Sequence, residues 1–493
     1  MRKFCDINLK KIRSLTTVLA FILSLKSVSQ SSNFYFTSFG GYEDDVGNCI
    51  IQSLDSGFTI VGVTSSFGAV QTDIYITRTD KIMQSKWQKT IGGFSSDVAK
   101  SVVELSDSSL IIAGYSNSFG NGGYDAYICK ADKNGNLVWQ KTYGGGDWDF
   151  AYSINKTLDN CLIICGETYS YGKGDKDGFI MKMNASGTII WSKVYGGPKA
   201  DGFKEIIPTN DGGYIATGTT MSYGDSLGDI WIAKFNNMGD SVFFMTHGGI
   251  KKDVGNSITI DKTGNYLIGG GSESFTSGKE DAYIIKLTSA YSLVWDRFFG
   301  IATQDEEIYS VKKSTSTYGS MMICYTTKEV SAFKKDAKAL LLSDLGYYID
   351  GGRVGSYEDE EVFSIANCFD NGYILSGYTQ SFNALQTDIF VLKFDSLVNG
   401  TGQYLGLYKI EKEGFFFDVY PNPFKSKLTI KSPNDQKMEK IEIVDLNGQI
   451  LYQKENSGSV EFEIDSDNVP SGIYILRIKT NSTTYIKKLV CNR

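Results

Sequence analysis

A single histidine, His247, is the only imidazole in the 493-residue chain, so a histidine-based triad or a zinc site has no material. No G-x-S-x-G elbow and no phosphate-binding loop appears, and no catalytic residue is assigned. What the chain offers instead is aromatic and carboxylate residues at fixed intervals. Phe67, Phe119, Tyr171, Tyr223, Phe275 and Phe382 each follow a serine in a loop. A ring of such aromatics would suit stacking on sugar faces. Their strict repetition argues instead for packing between neighbouring units, because each unit must bury the same face. Trp148 differs, since no other repeat carries tryptophan there, and a non-repeating loop aromatic is the stronger ligand candidate. The candidate ligand-binding residues are therefore Trp148, Tyr171, Tyr223 and Phe119.

Aspartate recurs at 45, 97, 149, 201, 253 and 305, and again at 73, 125, 177, 229, 281, 336 and 388. Calcium is compatible with this pattern but not required by it, because the ion needs several oxygens converging on one point. Hydrogen bonding at turns and strand starts explains the spacing, so no metal or cofactor is expected. Two readings follow. One is a binding or adhesion module for a glycan or other surface polymer. The other is a carbohydrate-active hydrolase or lyase with paired carboxylates on a loop face. The binder is favoured, because active sites break local pattern and these repeats are regular.

The elements that would hold these residues are repeats. Phrases of the form W-Q-K-T-x-G-G begin at Tyr35, Trp87, Trp139, Trp191, Phe243 and Trp295, each 52 residues from the last, with a degenerate seventh near Asp350. Each unit reads as four short strands; the second has 99–105, 109–116, 125–131 and 137–143. Seven units of four antiparallel strands predict an all-β fold, a seven-bladed β-propeller. The seventh unit lacks a fourth strand, while residues 33–41 supply one before any first strand. Pairing that orphan strand with the last blade would close the ring. The sixth unit departs most from the pattern and predicts an irregular blade. Long, variable loops before the first and third strands define the face where a ligand would sit.

Residues 1–29 combine a basic start with the apolar run LTTVLAFILSL and small residues, a secretory signal peptide too short to span a bilayer comfortably. Losing it removes six Lys/Arg and one Asp and takes the net charge from −7 to −12. A chain so acidic repels nucleic acid and anionic lipid. The mature chain is expected to be a monomer without a membrane span. Cys161 and Cys165, four apart in one strand and so about 13 Å apart, are too distant to bridge, and the other cysteines show no disulfide spacing.

The phrases carried by Gly144, Gly145 and Asp149, by Asp211-Gly212-Gly213-Tyr214 with Gly218, and by Asp125-Ala126-Tyr127 and Asp281-Ala282-Tyr283 resemble bacterial β-propeller repeats of the SBBP type. That resemblance covers 33–396 and implies architecture without a particular activity. After a linker (397–412) the pattern changes to alternating strands, a small Ig-like β-sandwich over 413–493. Its residues Tyr420-Pro421-Asn422-Pro423, Gly448, Gly472 with Tyr474, and Lys487-Lys488 resemble the type A C-terminal sorting domain of the type IX secretion system. The resemblance implies Sec export followed by type IX secretion. It also implies recognition of the tail by the secretion machinery and a surface sortase, attachment to anionic lipopolysaccharide, and a place at the outer-membrane surface or outside the cell.

Overall fold

The computed structural model describes residues 35–394 and 418–491, except 69, 226, 276–279, 301–303, 316–320, 330–333, 355–357, 382, 383, 385, 421–423, 432–436, 446–448, 466–468 and 481–483. The expected signal peptide (1–29) and linker (397–412) lie outside the described residues. Among those residues every regular element is a β-strand, and contacts divide the chain into units 1–408 and 409–493.

The first unit is built of seven four-stranded antiparallel sheets. In the first sheet the strands are Asp45–Gln52, Phe58–Thr64, Asp73–Thr79 and Ser85–Ile91, here called A to D in order. Five more sheets repeat that order over residues 97–143, 149–195, 201–247, 253–299 and 304–354. The seventh has its own A, B and C, Glu360–Asn367, Tyr373–Thr379 and Asp388–Phe394. Its fourth strand is Tyr35–Phe39, antiparallel to C with Tyr35 opposite Lys393 and Phe39 opposite Ile389. Each A strand packs on the preceding sheet, and the A strand of the first sheet packs on the seventh, so the array is propeller-like. The sixth sheet corrects the expectation of irregularity. It has four strands like the others, with longer A, B and C strands, and Ile323, Cys324 and Tyr325 keep its second strand buried.

The burial pattern explains the sequence pattern. Strands B and C lie in the middle of sheets covered on both faces, so they read as continuous apolar runs such as LIIAGYS. Strand D is the outer edge and is largely exposed, as in Ser85–Ile91, where only Ile91 is buried. Its tryptophan packs under the C–D turn of the next sheet. Trp87, Trp139, Trp191 and Trp295 lie against Gly135, Gly187, Gly239 and Gly346, all at φ between +75° and +79°. A side chain there would meet both the indole and a left-handed backbone. A second repeated lock is ionic: Lys182, Lys234 and Lys393 on strand C reach Asp159, Asp211 and Asp370 in the A–B turn of their own sheet, with Arg78 bridging Asp55 and Glu104.

The aspartates hold the loops. Ser66, Ser118, Ser170, Ser222 and Ser274 donate to Asp45, Asp97, Asp149, Asp201 and Asp253 at 2.5–2.7 Å, and the same carboxylates accept the N–H of the second glycine of each Gly-Gly pair. In the sixth sheet Glu306, not Asp305, holds this place opposite Thr327, and in the seventh it is Glu360. The third-strand aspartates approach from the neighbouring sheet. A Cβ on Gly40 would lie 2.0 Å from Asp388 Oδ1 and 2.9 Å from Asp45 Oδ2, so two carboxylates face each other across a glycine. No group of three or more His, Cys, Asp or Glu among the described residues is arranged to hold a metal ion.

Burial, and then the charge of Asp45, push the Asp388 pKa up to about 6, and its Oδ1 has no hydrogen-bond partner. A folded pKa above the unfolded one favours the folded state at low pH, and that contribution fades as pH rises from about 4 through about 6. Asp388→Asn is therefore expected to stabilise the protein by about 1 kcal/mol at pH 7.5, after discounting for partial exposure, and to change little at pH 4. Thermal melts of both proteins at the two pH values check this.

The second unit is two antiparallel sheets around one core. Asp418–Tyr420, Lys427–Lys431 and Glu461–Asp465 form one. Ile450–Ser459, Met438–Val444, Gly472–Thr480 and Thr484–Cys491 form the other, in that spatial order. Phe424, Leu428, Ile441, Ile443, Leu476 and Ile478 lie in the core between them.

Candidate functional site at the channel mouth

Every A strand carries a bulge at the same place, and the bulge builds the site. The register slips between Gly47 and Cys49, and at the equivalent step in all seven sheets, leaving one extra residue unpaired. A bulge re-aims its side chain, and here it turns that side chain to the centre of the ring. The seven bulge residues are Asn48, Lys100, Tyr152, Lys204, Asn256, Tyr309 and Phe363, and all line a central cavity of about 520 Å³. Unlike the locks described above, this ring does not repeat chemically.

The next position on the A strand is serine in five of the seven sheets, with Cys49 in the first and Glu205 in the fourth. Serine there accepts a hydrogen bond from the A strand of the following sheet: Ser364 from Ile50 N at 3.2 Å, Ser101 from Ile154 N at 3.2 Å, Ser257 from Val311 N at 3.0 Å. The fourth sheet has Glu205 instead. Its Oε2 accepts from Ile258 N and Ser257 Oγ, and its Oε1 takes Lys312 Nζ of the sixth sheet at 3.1 Å. Burial would lower the Lys312 pKa, but the Glu205 carboxylate outweighs it and holds the ammonium above its usual value.

Trp148, half exposed, heads an aromatic cluster at the mouth. Its ring lies 6.0–6.3 Å from Tyr169, Tyr124 and Phe150 at steep angles. Phe150 meets Tyr115 edge-on at 4.9 Å and stacks on Tyr152 at 6.1 Å. Tyr152 is a bulge residue, so the cluster runs from the rim into the channel. Lys204 Nζ sits 3.8 Å from the centre of its ring and pairs with Glu167 at 2.8 Å. Lys176 joins Glu167 at 2.7 Å. Burial would raise the Glu167 pKa, and the two lysines together hold it below the ordinary range. Lys100, by contrast, has its pKa lowered to about 8 by burial and then by the Lys204 charge.

The other sequence candidates stand apart from this cluster. The Tyr171 hydroxyl donates to Gly144 O at 2.8 Å, and the Tyr223 hydroxyl to Gly196 O at 3.1 Å. Phe119 stacks on Tyr127 at 5.8 Å. These three brace the Gly-Gly loops and strand C within the repeated pattern, while Trp148 is joined to the mouth. Phe382 lies outside the described residues. His247 on an outer strand hydrogen-bonds the Tyr283 hydroxyl at 2.7 Å, which donates to Asp296 at 2.9 Å. Burial lowers the His247 pKa. The described cysteines are all free, and Cys161 precedes its strand rather than lying in it.

A second carboxyl feature was not singled out by sequence. Glu280, just before strand C of the fifth sheet, is pushed up to about 7 by burial and then by Glu307. Its Oε1 makes no hydrogen bond, with Lys252 3.8 Å away.

In the second unit the Tyr474 hydroxyl donates to Pro470 O at 2.9 Å, and Gly472 opens its strand so close that a Cβ would lie 3.1 Å from that hydroxyl. Lys487 and Lys488 lie on the last strand opposite Leu476 and Ile475. Tyr420 ends the first strand of the unit, while Pro421, Asn422, Pro423 and Gly448 lie outside the described residues.

Residues 418–492 match the family model of the secretion system C-terminal sorting domain. That match implies export through the type IX secretion system to the cell surface or extracellular space. No helix among the described residues is long and apolar enough to cross a membrane. No match was found among curated protein sequences. Among solved structures, the Neurospora crassa Pan2 WD40 domain is similar at 7% identity and a TM-score of 0.44, covering 74% of this chain and 96% of its own. A Dyadobacter fermentans protein of unknown function is similar at 8% identity and a TM-score of 0.41, covering 73% and 98%. Puromycin hydrolase is similar at 8% identity and a TM-score of 0.46, covering 80% and 59%. None of these likenesses bears on activity.

Proposed function

We propose that the chain is a secreted, seven-bladed β-propeller of SBBP-type repeats with an Ig-like sorting tail, and that it binds a glycan or other surface polymer at the channel mouth. The observation carrying this reading is the Trp148 cluster, where non-repeated aromatics run from an exposed indole to an axial bulge residue. Amphipathic rings held by their neighbours supply contact area at low entropic cost, which suits sugar faces. The tail delivers this module to the surface, where a sortase removes it and the cargo is joined to lipopolysaccharide. The propeller acts as a monomer.

A glycan array on the chain and on Trp148→Ala tests the reading. Bound glycans are expected, with affinity reduced about 30-fold in the variant, as for a central aromatic anchor. Unchanged binding in Trp148→Ala would refute the assignment. Glu280 favours a second reading, hydrolysis or elimination of a polysaccharide, because a carboxyl held near neutral is suited to general acid catalysis. Mass analysis of the same reactions separates the two, since only an enzyme shortens the glycan.

A further inference from the structure

Adjoining the central channel, and sharing Asn48, Lys100 and Phe363 with it, lies a second cavity of about 410 Å³, within the size range of small-molecule sites. Its walls include Tyr115, Tyr124, Phe363 and Tyr378, and among the described residues no acidic side chain lines it. Among those described residues Lys100 is the one cation on its lining. Among the described residues the Lys100 ammonium has a single polar partner, Asn48 Oδ1 at 3.4 Å. The Asn48 amide donates to Ala99 O at 2.8 Å, which fixes the oxygen toward the lysine. Of the other lysines lining the channel, Lys204 pairs with Glu167 and Lys312 with Glu205, while Lys156 donates to the Glu104 carbonyl at 3.0 Å. An ammonium drawn out of bulk water without a counter-ion is costly, and an arriving anion relieves that cost. Because the chain as a whole is acidic, with a formal charge of −7, the attraction must be local.

We infer that this cavity takes the carboxylate of an acidic sugar, so that the polymer held at the mouth is a uronic-acid-bearing glycan. The inference rests on the glycan-binding reading above. One carboxylate balances one ammonium, the Asn48 oxygen steadies that ammonium, and the aromatic walls cover the faces of the sugar ring. Tyr124 joins the two places, since it lines the cavity and lies 6.3 Å from Trp148. A chain stacked on Trp148 is thus one aromatic ring away from the cavity.

The test is calorimetric titration of the full chain with trimers of galacturonate, glucuronate and mannuronate, each compared with its methyl ester. At least one acid is expected to bind about tenfold or more tightly than its ester, a charge-assisted hydrogen bond's worth of discrimination. Lys100→Met should bring each acid down to the affinity of its ester without lowering the melting temperature, and Lys100→Arg should retain the preference. Equal affinity for acid and ester, with both weakened in Trp148→Ala, overturns the carboxylate site and leaves the glycan reading standing. A preference for acid that survives Lys100→Met also overturns it. Failure of every trimer to bind overturns the inference, and the neutral spots of the glycan array then decide the broader reading separately.

Discussion

Deletion of residues 35–39 is expected to lower the melting temperature of the protein by about 10 °C and to make it self-associate. This strand is the outermost of the seventh sheet although it comes from the opposite end of the unit's sequence. Phe39 is buried there with Ile389 and Val391, and losing it forfeits about 2–3 kcal/mol of apolar burial. The backbone ladder with Asp388–Phe394 contributes about 1 kcal/mol per hydrogen bond beyond that. Strand C of the seventh sheet would then present an open apolar edge, and open edges pair with other chains. The effect should be cooperative, because the ring ties the first and last sheets through the same strand. Calorimetry and light scattering on the deleted and intact chains check both parts. A deletion variant that melts like the intact chain would show that the ring does not depend on this strand.

The second large effect concerns destination. Removal of residues 418–492 is expected to abolish surface delivery in a cell with a working type IX system, leaving the propeller folded but retained within the envelope. The two units have separate cores, so the loss should be one of routing rather than of folding. Tyr474→Ala should act in the same direction. It empties a nearly buried aromatic site and breaks the bond to Pro470 O, a loss of about 3 kcal/mol in a unit of small core. Surface proteolysis and fractionation read the outcome. Normal surface exposure without 418–492 would show that the tail is not the address.

The repeats were legible because their locks are chemically uniform. Tryptophan under the turn glycine, lysine on the turn aspartate, and serine on the loop aspartate each solve one packing problem in successive sheets, so the same residue types return every 52 positions. The orphan strand was legible by the same accounting of backbone groups. The sixth sheet misled because its turn residues diverge while its buried strands do not, and burial decides the fold. Its register also moved the loop carboxylate from Asp305 to Glu306.

The site was harder to see for the converse reason. In the phrase D-x-A-x-S-I the informative letters are structural, and the variable letter before the serine is the bulge residue that faces the channel. Asn48, Lys100, Tyr152, Lys204, Asn256, Tyr309 and Phe363 occupy that column. Reading the repeats for where they differ, rather than where they agree, is the signal that finds them. Trp148 was found that way; Tyr171, Tyr223 and Phe119 were suggested by recurrence, and recurrence marks the bracing positions.

The most direct measurement is hydrogen exchange of the chain with and without a glycan selected from the array. The account predicts protection concentrated in 115–124 and 148–152, with the loop-bracing segments around Tyr171 and Tyr223 unchanged. Protection on the opposite face, in the A–B and C–D turns, with none at the mouth, would contradict it.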